Sequence, residues 1–418
     1  MIPAVDVYLS SFDGGTADEV LVGRCRRSVR HGALSTLFTY DDAYLSNPRA
    51  FAIDPCLPLD SAAHHVVGLP GALRDSSPDR WGRHLIARRQ RAAVGSGPLR
   101  TLDEMDYLLG VHDQTREGAL RYRDPASGVF LSPLGEVPPM VELKRMLSAS
   151  TEVARGEESV DQVKELLDAG SGSLGGARPK ASVLDEGKLL LAKFPHPGDE
   201  WDVMAWEKTA IDLARAAGIP VPAARVVRLG RQGVLVIGRF DRLGSRIDGA
   251  RVPYLSGMTV VRAQDGEQRD YAELAEATAI LVAEPERELE GLFRRVVLSI
   301  ALHNTDDHLR NIGFLRGAGG WRLAPLFDVS PSPELSRARV TSIFGESGAG
   351  ETSGLLDFAA VCGVSRVAAR RIVAEVLGAM RSWRETARRN GCRDAELTLF
   401  EPVFRDRCRA LEECTSSW

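Results

Sequence analysis

Short apolar, β-branched and aromatic runs bounded by turn residues open this chain, and longer segments with apolar residues at helical spacing close it. Residues 5–9, 20–22 and 34–40 are β-rich, and Asp13, Gly14 and Gly15 form a turn signal, which together predict a small β-sheet module. After the punctuation of Gly68, Leu69, Pro70 and Gly71, a helix is expected over 78–91, with Ser77 as N-cap and Pro78 in its first position. Residues 139–170 predict two helices with a Ser/Glu-rich break, and 171–180 is a Gly-rich loop. The texture then turns to β. Residues 181–184 and 188–194 flank Asp185, Glu186 and Gly187, a hairpin signal. Asp199 is the expected cap of a helix over 200–217, closed by Gly218 and Pro220. A second hairpin joins 224–229 to 234–240 around Arg231, Gln232 and Gly233. From about 270 the pattern is helical, over 271–283 and 286–303. A hairpin-like segment follows at 312–323, and the last hundred residues are mostly helical, with one arginine-rich helix over 366–389.

A β-rich unit (171–240) thus precedes a helical unit (255–418), and a cleft between two such lobes is a natural nucleotide site. The expected domains are 1–138, 139–250 and 251–418, in keeping with a length of 418 residues. A hydrophobic fraction of 44% and a charged fraction of 26% are those of a soluble globular protein. The net charge of −4 gives no global pull toward nucleic acid or an anionic membrane. Cys25, Cys56, Cys362, Cys392, Cys408 and Cys414 show no Cys-x-x-Cys pair, and the adjacent His64 and His65 have no carboxylate or Cys at metal-ligand spacing. Neither a disulfide framework nor a structural zinc is expected. No basic segment followed by an apolar run opens the chain, and no apolar run approaches a membrane span, so a cytoplasmic location is the expectation.

The densest chemistry lies after the helix expected at 286–303. Asp306 and Asn311 are separated by four residues, a hairpin follows, and then comes Asp328. Phosphoryl-transfer enzymes use this layout to hold a base and a metal in one cleft. The alternative is a polar loop whose Asp and Asn cap turns. Asp307 is one position out of phase with the spacer. His308 either contacts a nucleotide phosphate, orients Asp306, or is a structural loop histidine. Upstream, Gly170, Gly172 and Gly175 spell G-x-G-x-x-G, but a helix precedes and strands follow, the reverse of a dinucleotide fingerprint. What remains is a small-residue loop, with Gly175, Gly176 and Ala177 beside Arg178 and Lys180, whose backbone N–H groups can approach phosphate oxygens. The alternative is an interdomain linker. Lys193 ends an apolar strand and can reach phosphates as a point charge, with Glu207 as a partner; alternatively the two are a snorkelling lysine and a solvated glutamate. The strand 234–240 runs into Arg239, Phe240, Asp241 and Arg242, as a hinge strand or an ordinary strand end. The arginines of 366–389 form either a docking face or a solvated helix face.

These blocks together resemble the HipA-type serine/threonine kinases, the toxin halves of bacterial toxin–antitoxin pairs. The resemblance rests on Ser173 to Lys180, on Leu191 to Pro195, and on Arg239 to Arg242 with Arg251 to Ser256. It rests further on Asn304 to Asn311, on Leu326 to Asp328, and on Leu57 to Leu59 and Leu73 to Gly82 in the amino-terminal part. It spans about the whole chain. It implies an α+β, bilobal protein-kinase-like fold, with a small β-rich amino-terminal module and a largely helical carboxy-terminal lobe. It implies ATP and Mg²⁺ as cofactors. Asp306 is then the catalytic base, Asn311 and Asp328 are the metal ligands, and Lys193 and His308 hold the nucleotide. Gly175, Gly176, Ala177, Arg178 and Lys180 line its loop, Arg239 and Phe240 its hinge, and Ser173 is the autophosphorylated serine. The implied partners are a HipB-like DNA-binding antitoxin, through which alone DNA is met, and a protein substrate, an aminoacyl-tRNA synthetase among the family's known targets. Gly238 departs from members with an acidic residue there. The His-Arg-Asp and Asp-Phe-Gly triplets of other protein kinases are replaced by Asn304-Thr305-Asp306 and Phe327-Asp328-Val329. Two rival functions remain: a small-molecule kinase, and a catalytically silent nucleotide-binding regulator acting with a DNA-binding antitoxin.

Overall fold

A computed structural model of the chain describes residues 2–14, 19–94, 97–131, 136–157, 159–171, 178–348, 350–416 and 418. Two compact units emerge. The first comprises Met1–Gly198, Val236–Leu255 and Leu315–Gly320, and the second Asp199–Leu235, Ser256–Phe314 and Trp321–Trp418.

The first unit opens with an antiparallel five-stranded sheet, in the spatial order His64–Val67, Ala33–Tyr40, Val20–Arg30, Ala4–Leu9, Leu120–Arg123. Its buried face carries Val5, Val7, Val22, Cys25, Phe38, Tyr40 and Tyr122. The strand expected at 20–22 extends to Arg30. Its second half is rich in arginine, with Arg24, Arg26 and Arg30 exposed, and this masks the strand in the sequence. The strands His64–Val67 and Leu120–Arg123 were not expected. The helix expected over 78–91 runs Arg80–Val94 instead, and Asp79 rather than Ser77 caps it: Gly82 N–H donates to Asp79 Oδ1 at 2.7 Å, while the Ser77 hydroxyl donates to the Leu73 carbonyl. Trp81, Leu85 and Ile86 of this helix share one apolar core with Ala149, Val153, Val163, Leu166 and Leu167. The two helices expected over 139–170 are Leu143–Arg155 and Val160–Asp168. The expected hairpin is Lys180–Asp185/Lys188–Lys193, its two-residue turn made by Glu186 (φ 49°) and Gly187 (φ 77°). Positive φ at both central positions matches the right-handed twist of the flanking strands.

A buried ionic cluster fastens residues 239–251 to residues 113–121 inside this unit. Asp241 accepts from Arg239 Nε (2.7 Å), from Arg242 Nη1 (2.8 Å) and from Gly118 N–H (2.8 Å). The two guanidiniums also donate to the carbonyls of Thr115 (2.9 Å) and Arg116 (2.7 Å), and Asp113 pairs with Arg121 and Arg251. Glu117 lies beside Asp241, Arg239, Asp75 and Lys180. Desolvation first, and then the Asp241 charge, push its carboxyl up to about 8. A carboxyl raised on folding adds stability below its unfolded value, and loses it as pH rises toward the folded one. The Glu117 contribution to stability should therefore decline between about pH 4.5 and 8. Glu117→Gln should flatten that slope, melting higher than wild type at pH 8 and alike at pH 4.5, as thermal unfolding across pH will show.

In the second unit the helix Pro285–Ala301 is central. It packs against Tyr271–Leu281, Arg366–Met380 and Asp394–Ser416, burying Leu292, Phe293, Val296, Val297 and Ile300. The helix Val203–Ala216 is capped by Asp202, not Asp199, since the Asp202 carboxylate accepts from Ala205 N–H at 3.0 Å. Trp206 of this helix stacks on Phe400 with ring centroids 3.8 Å apart, and its indole N–H donates to Glu396. The single helix expected over 366–389 is two, Arg366–Met380 and Trp383–Arg389. The break at Arg381 and Ser382 lets both Met380 and Trp383 turn inward. Its arginines pair with acids of the same unit: Arg371 with Glu290 and Glu375, Arg384 with Glu401, Arg388 with Asp394. The expected hairpin is Gly313–Gly317/Gly320–Leu323. No helix among the described residues is long and apolar enough to cross a membrane.

Candidate active site

The helix Pro285–Ala301 ends in a left-handed cap. His303 has φ 48°, its N–H donates to the Ile300 carbonyl, and the N–H of Asn304 donates to that of Ser299, both at 2.9 Å. These are the two bonds of a Schellman motif. Glycine usually takes that position, and a residue with a side chain there costs roughly 1–2 kcal/mol. His303 is held by its surroundings: its Nε2–H donates to the Glu334 carbonyl at 2.9 Å, and its own carbonyl accepts from Ser332 N–H. Burial keeps the ring's pKa below the usual histidine value. The sharp turn launches residues 304–311 away from the helix.

Neighbouring carboxylates part company in this loop. Asp306 is exposed, while Asp307 is 7% exposed and points inward. Asp307 Oδ2 accepts from Ser299 Oγ (2.5 Å), from the Tyr271 hydroxyl and, at 3.5 Å, from Arg339 Nη1. Asn311 sits in a short 3₁₀ turn, Leu309–Asn311. Its Nδ2 donates to the Asp306 carbonyl at 3.1 Å and, at a long 3.5 Å, to the Asp328 carbonyl. Both partners are carbonyls, so the amide nitrogen must face them and Oδ1 must face away. Asp328 is half-buried with φ 55°, another left-handed residue with a side chain. Asn304 Oδ1 accepts from Ser330 N–H at 3.2 Å. The segment around Asp328 is therefore laced to the Asp306 loop at two points. Strained backbone of this kind gathers at functional sites.

A carboxylate at Asp328 and a carbonyl oxygen turned outward at Asn311 are hard oxygen donors, the set Mg²⁺ takes together with waters and phosphate. His308 is half-buried, and its Nδ1 has no hydrogen-bond partner among the described residues. A buried ring nitrogen left without a partner suits a ligand that brings one. Arg310 forms a bidentate pair with Asp265 at the surface, 2.7 and 2.8 Å.

The other expected residues, Glu207 apart, belong to the first unit. Lys193 is buried at the end of its strand, Arg178 is half-buried, and Phe240 is half-buried with its ring 6.5 Å from that of Tyr254. Lys180 is buried, its ammonium 2.5 Å from Asp79 Oδ2. Arg239 places its guanidinium on Asp241 and on two carbonyls, its N–H on Leu189 and its carbonyl on the Ser245 hydroxyl. Both cations are engaged inside the unit rather than presented at its surface. Glu207 is buried in the second unit, on the helix Val203–Ala216. Ser173, Gly175, Gly176 and Ala177 lie outside the described residues. Nothing in the sequence singled out Tyr271, Ser299 and Arg339 as partners of Asp307: Tyr271 and Arg339 lie 36 and 32 residues away, and Ser299 sits on the preceding helix.

Residues 172–384 match the model of the HipA-like C-terminal domain, and residues 16–122 match that of the HipA N-terminal domain. The chain belongs to the HipA family. Among solved structures it is similar to the Shewanella oneidensis MR-1 toxin–antitoxin system HipA, HipB and operator DNA complex, with a TM-score of 0.68 at 15% identity, over 98% of this chain and 97% of that one. At that identity the likeness shows the fold alone, and it bears out the α+β, kinase-like HipA fold that the sequence implied. A Helicobacter pylori proinflammatory kinase, CtkA, is similar over 57% of this chain and 94% of its own, at 14% identity and a TM-score of 0.38. No curated protein matches the chain.

Proposed function

We propose that this HipA-family protein is an ATP-dependent serine/threonine protein kinase of toxin type. The observation that carries the reading is the division of labour in the Asp306 loop: Asp307 turns inward to anchor it, Asp306 stays exposed, and the Asn311 amide is oriented with its oxygen outward. Asp306 accepts or orients the proton of the attacking hydroxyl. Asn311 and Asp328 are the residues that would hold Mg²⁺, and His308, Lys193 and Arg178 those that would meet the nucleotide phosphates. A bound magnesium–ATP would supply the transferable phosphoryl group and offset its developing charge. The chain's own contribution is positioning and fixed charge. Lys180 and Arg239 act as scaffold. Ser173 is the proposed autophosphorylation site, where a phosphate would add about −1.5 to −2 charge. The Shewanella relative is described in complex with HipB and operator DNA, which supports a HipB-like antitoxin as a partner here, DNA being met through it. An aminoacyl-tRNA synthetase is the protein substrate class we favour, and a cytoplasmic location follows from such a target.

Mass spectrometry of the purified protein, incubated with ATP and either Mg²⁺ or a chelator, tests this reading. A single added phosphate on Ser173 is expected with Mg²⁺ alone, and should be lost in Asp328→Ala. No phosphate on any residue, and none on added synthetases, would sink the protein-kinase reading and favour a silent regulator.

A further inference from the structure

Asp307 is the buried carboxylate of the Asp306 loop, and it ends a chain of buried charges that reaches the helix Asp394–Ser416. Arg339 lies between Asp307 and Glu351: its Nη1 is 3.5 Å from Asp307 Oδ2, and its Nε donates to Glu351 Oε2 at 2.6 Å. Glu351 Oε1 accepts in turn from Arg407 Nη1 at 3.1 Å, on the helix Asp394–Ser416. Arg339, Glu351 and Arg407 are all at most 5% exposed. Tyr271 donates its hydroxyl to the same oxygen of Asp307. Burial first, and then the Asp307 charge, raise the phenol's pKa well above its usual value, so the hydroxyl remains a donor. The backbone is fastened too: Thr341 Oγ1 donates to the Asp307 carbonyl at 2.6 Å, and Val340 N–H to that of Thr305 at 3.0 Å. Arg339 and Arg407 balance Asp307 and Glu351, and Asp406 takes a second nitrogen of Arg407 at 2.6 Å.

Residues 304–308 have no regular secondary structure of their own. Their course depends on the turn at His303 and on what holds Asp307. Asp306 and Asp307 are adjacent, one exposed and one buried, so the backbone held by an inward Asp307 also sets the direction of Asp306. We propose that Tyr271, Arg339, Glu351 and Arg407 are positioning residues for Asp306, acting through Asp307. The idea rests on the kinase reading of the Asp306 loop, and its novelty is the dependence of that loop on single residues far along the chain. A displacement of about 1 Å at a reacting group can lower a rate roughly a hundredfold.

The test uses the full chain and three variants: Tyr271→Phe, which removes one hydroxyl and keeps the ring, Arg407→Met, and Arg407→Lys. Two quantities are read, phosphoryl transfer with Mg-ATP and amide hydrogen exchange over residues 303–311. Tyr271→Phe is expected to lower kcat about tenfold and Arg407→Met between about tenfold and a hundredfold, with the KM for ATP within about twofold of wild type. Exchange in the loop should speed up in both, and Arg407→Lys should recover part of each effect. Unchanged kcat and unchanged loop exchange in Tyr271→Phe and Arg407→Met, whatever happens to the melting temperature, would overturn the proposal and leave the network as packing alone. If Arg407→Met fails to fold, Tyr271→Phe decides by itself. If the wild type transfers no phosphate while loop exchange still responds, the kinase reading fails and the anchoring of Asp307 stands.

Discussion

Asp306→Asn is expected to lower kcat by about 10²- to 10⁴-fold, the range a positioned general base supplies, and to leave the melting temperature of the protein where it was. The side chain is exposed and makes no side-chain hydrogen bond or ion pair among the described residues. Its loss touches the reacting hydroxyl and little else, so nucleotide affinity should hold. The neighbouring substitution should look the same in an activity screen and differ in every other respect. Asp307→Asn removes a buried charge facing Tyr271, Ser299 and Arg339. Deleting one partner of a buried pair costs about 3–5 kcal/mol, and the lower end is expected because Arg339 keeps Glu351. Activity should fall here through a displaced and destabilised loop. Thermal unfolding beside steady-state kinetics separates the two. An Asp306→Asn protein that unfolds early, or an Asp307→Asn protein that is stable and inactive, would exchange the roles assigned to these carboxylates.

The second large effect is expected in the first unit. Asp241→Ala strips the only carboxylate within hydrogen-bonding reach of Arg239 and Arg242 among the described residues, and leaves two buried guanidiniums facing carbonyls. A loss of about 3–5 kcal/mol is expected. Asp248→Ala is the control: its pair with Arg246 is exposed on both sides, and no measurable change is expected. The pH dependence has a definite sign. Burial pushes the Asp241 carboxyl up, but Arg239 and Arg242 outweigh it and hold the group well below the ordinary carboxylate range. A carboxyl depressed on folding contributes stability above its unfolded value of about 3.9, and loses it as pH falls through the folded one. Wild type should therefore keep its advantage over Asp241→Ala from neutrality down to about pH 4, and surrender it only in stronger acid. Chemical denaturation at a series of pH values will show whether it does.

What could be read from the sequence was local. Asp306, Asn311 and Asp328 stood out because base, amide and second acid fall within one short stretch, and the hairpins stood out because turn residues separate apolar runs. Caps were harder. Ser77 and Asp79, or Asp199 and Asp202, are equally good caps by type, and the buried face of each helix chose between them: Trp81, Leu85 and Ile86 in one, Met204, Trp206 and Ile211 in the other. The strand Val20–Arg30 was half hidden because its open face carries arginines. Tyr271, Arg339, Glu351 and Arg407 were beyond reach for a different reason. Each is a single residue in an unremarkable context, and only folding brings the four to one carboxylate.

The last helix gives that arrangement a practical edge. The matched carboxy-terminal domain ends at residue 384. Yet Arg407 completes the charge balance of Glu351, and Phe400, Phe404 and Glu396 complete the surroundings of Trp206. A fragment trimmed to the recognisable domain would keep every motif letter from Asn304 to Asp328 and still lack the counterpart on which that stretch leans. The Asp306 loop is thus not a portable cassette: moved to another framework, or cut free of the carboxy-terminal helix, it would carry its chemistry without its aim.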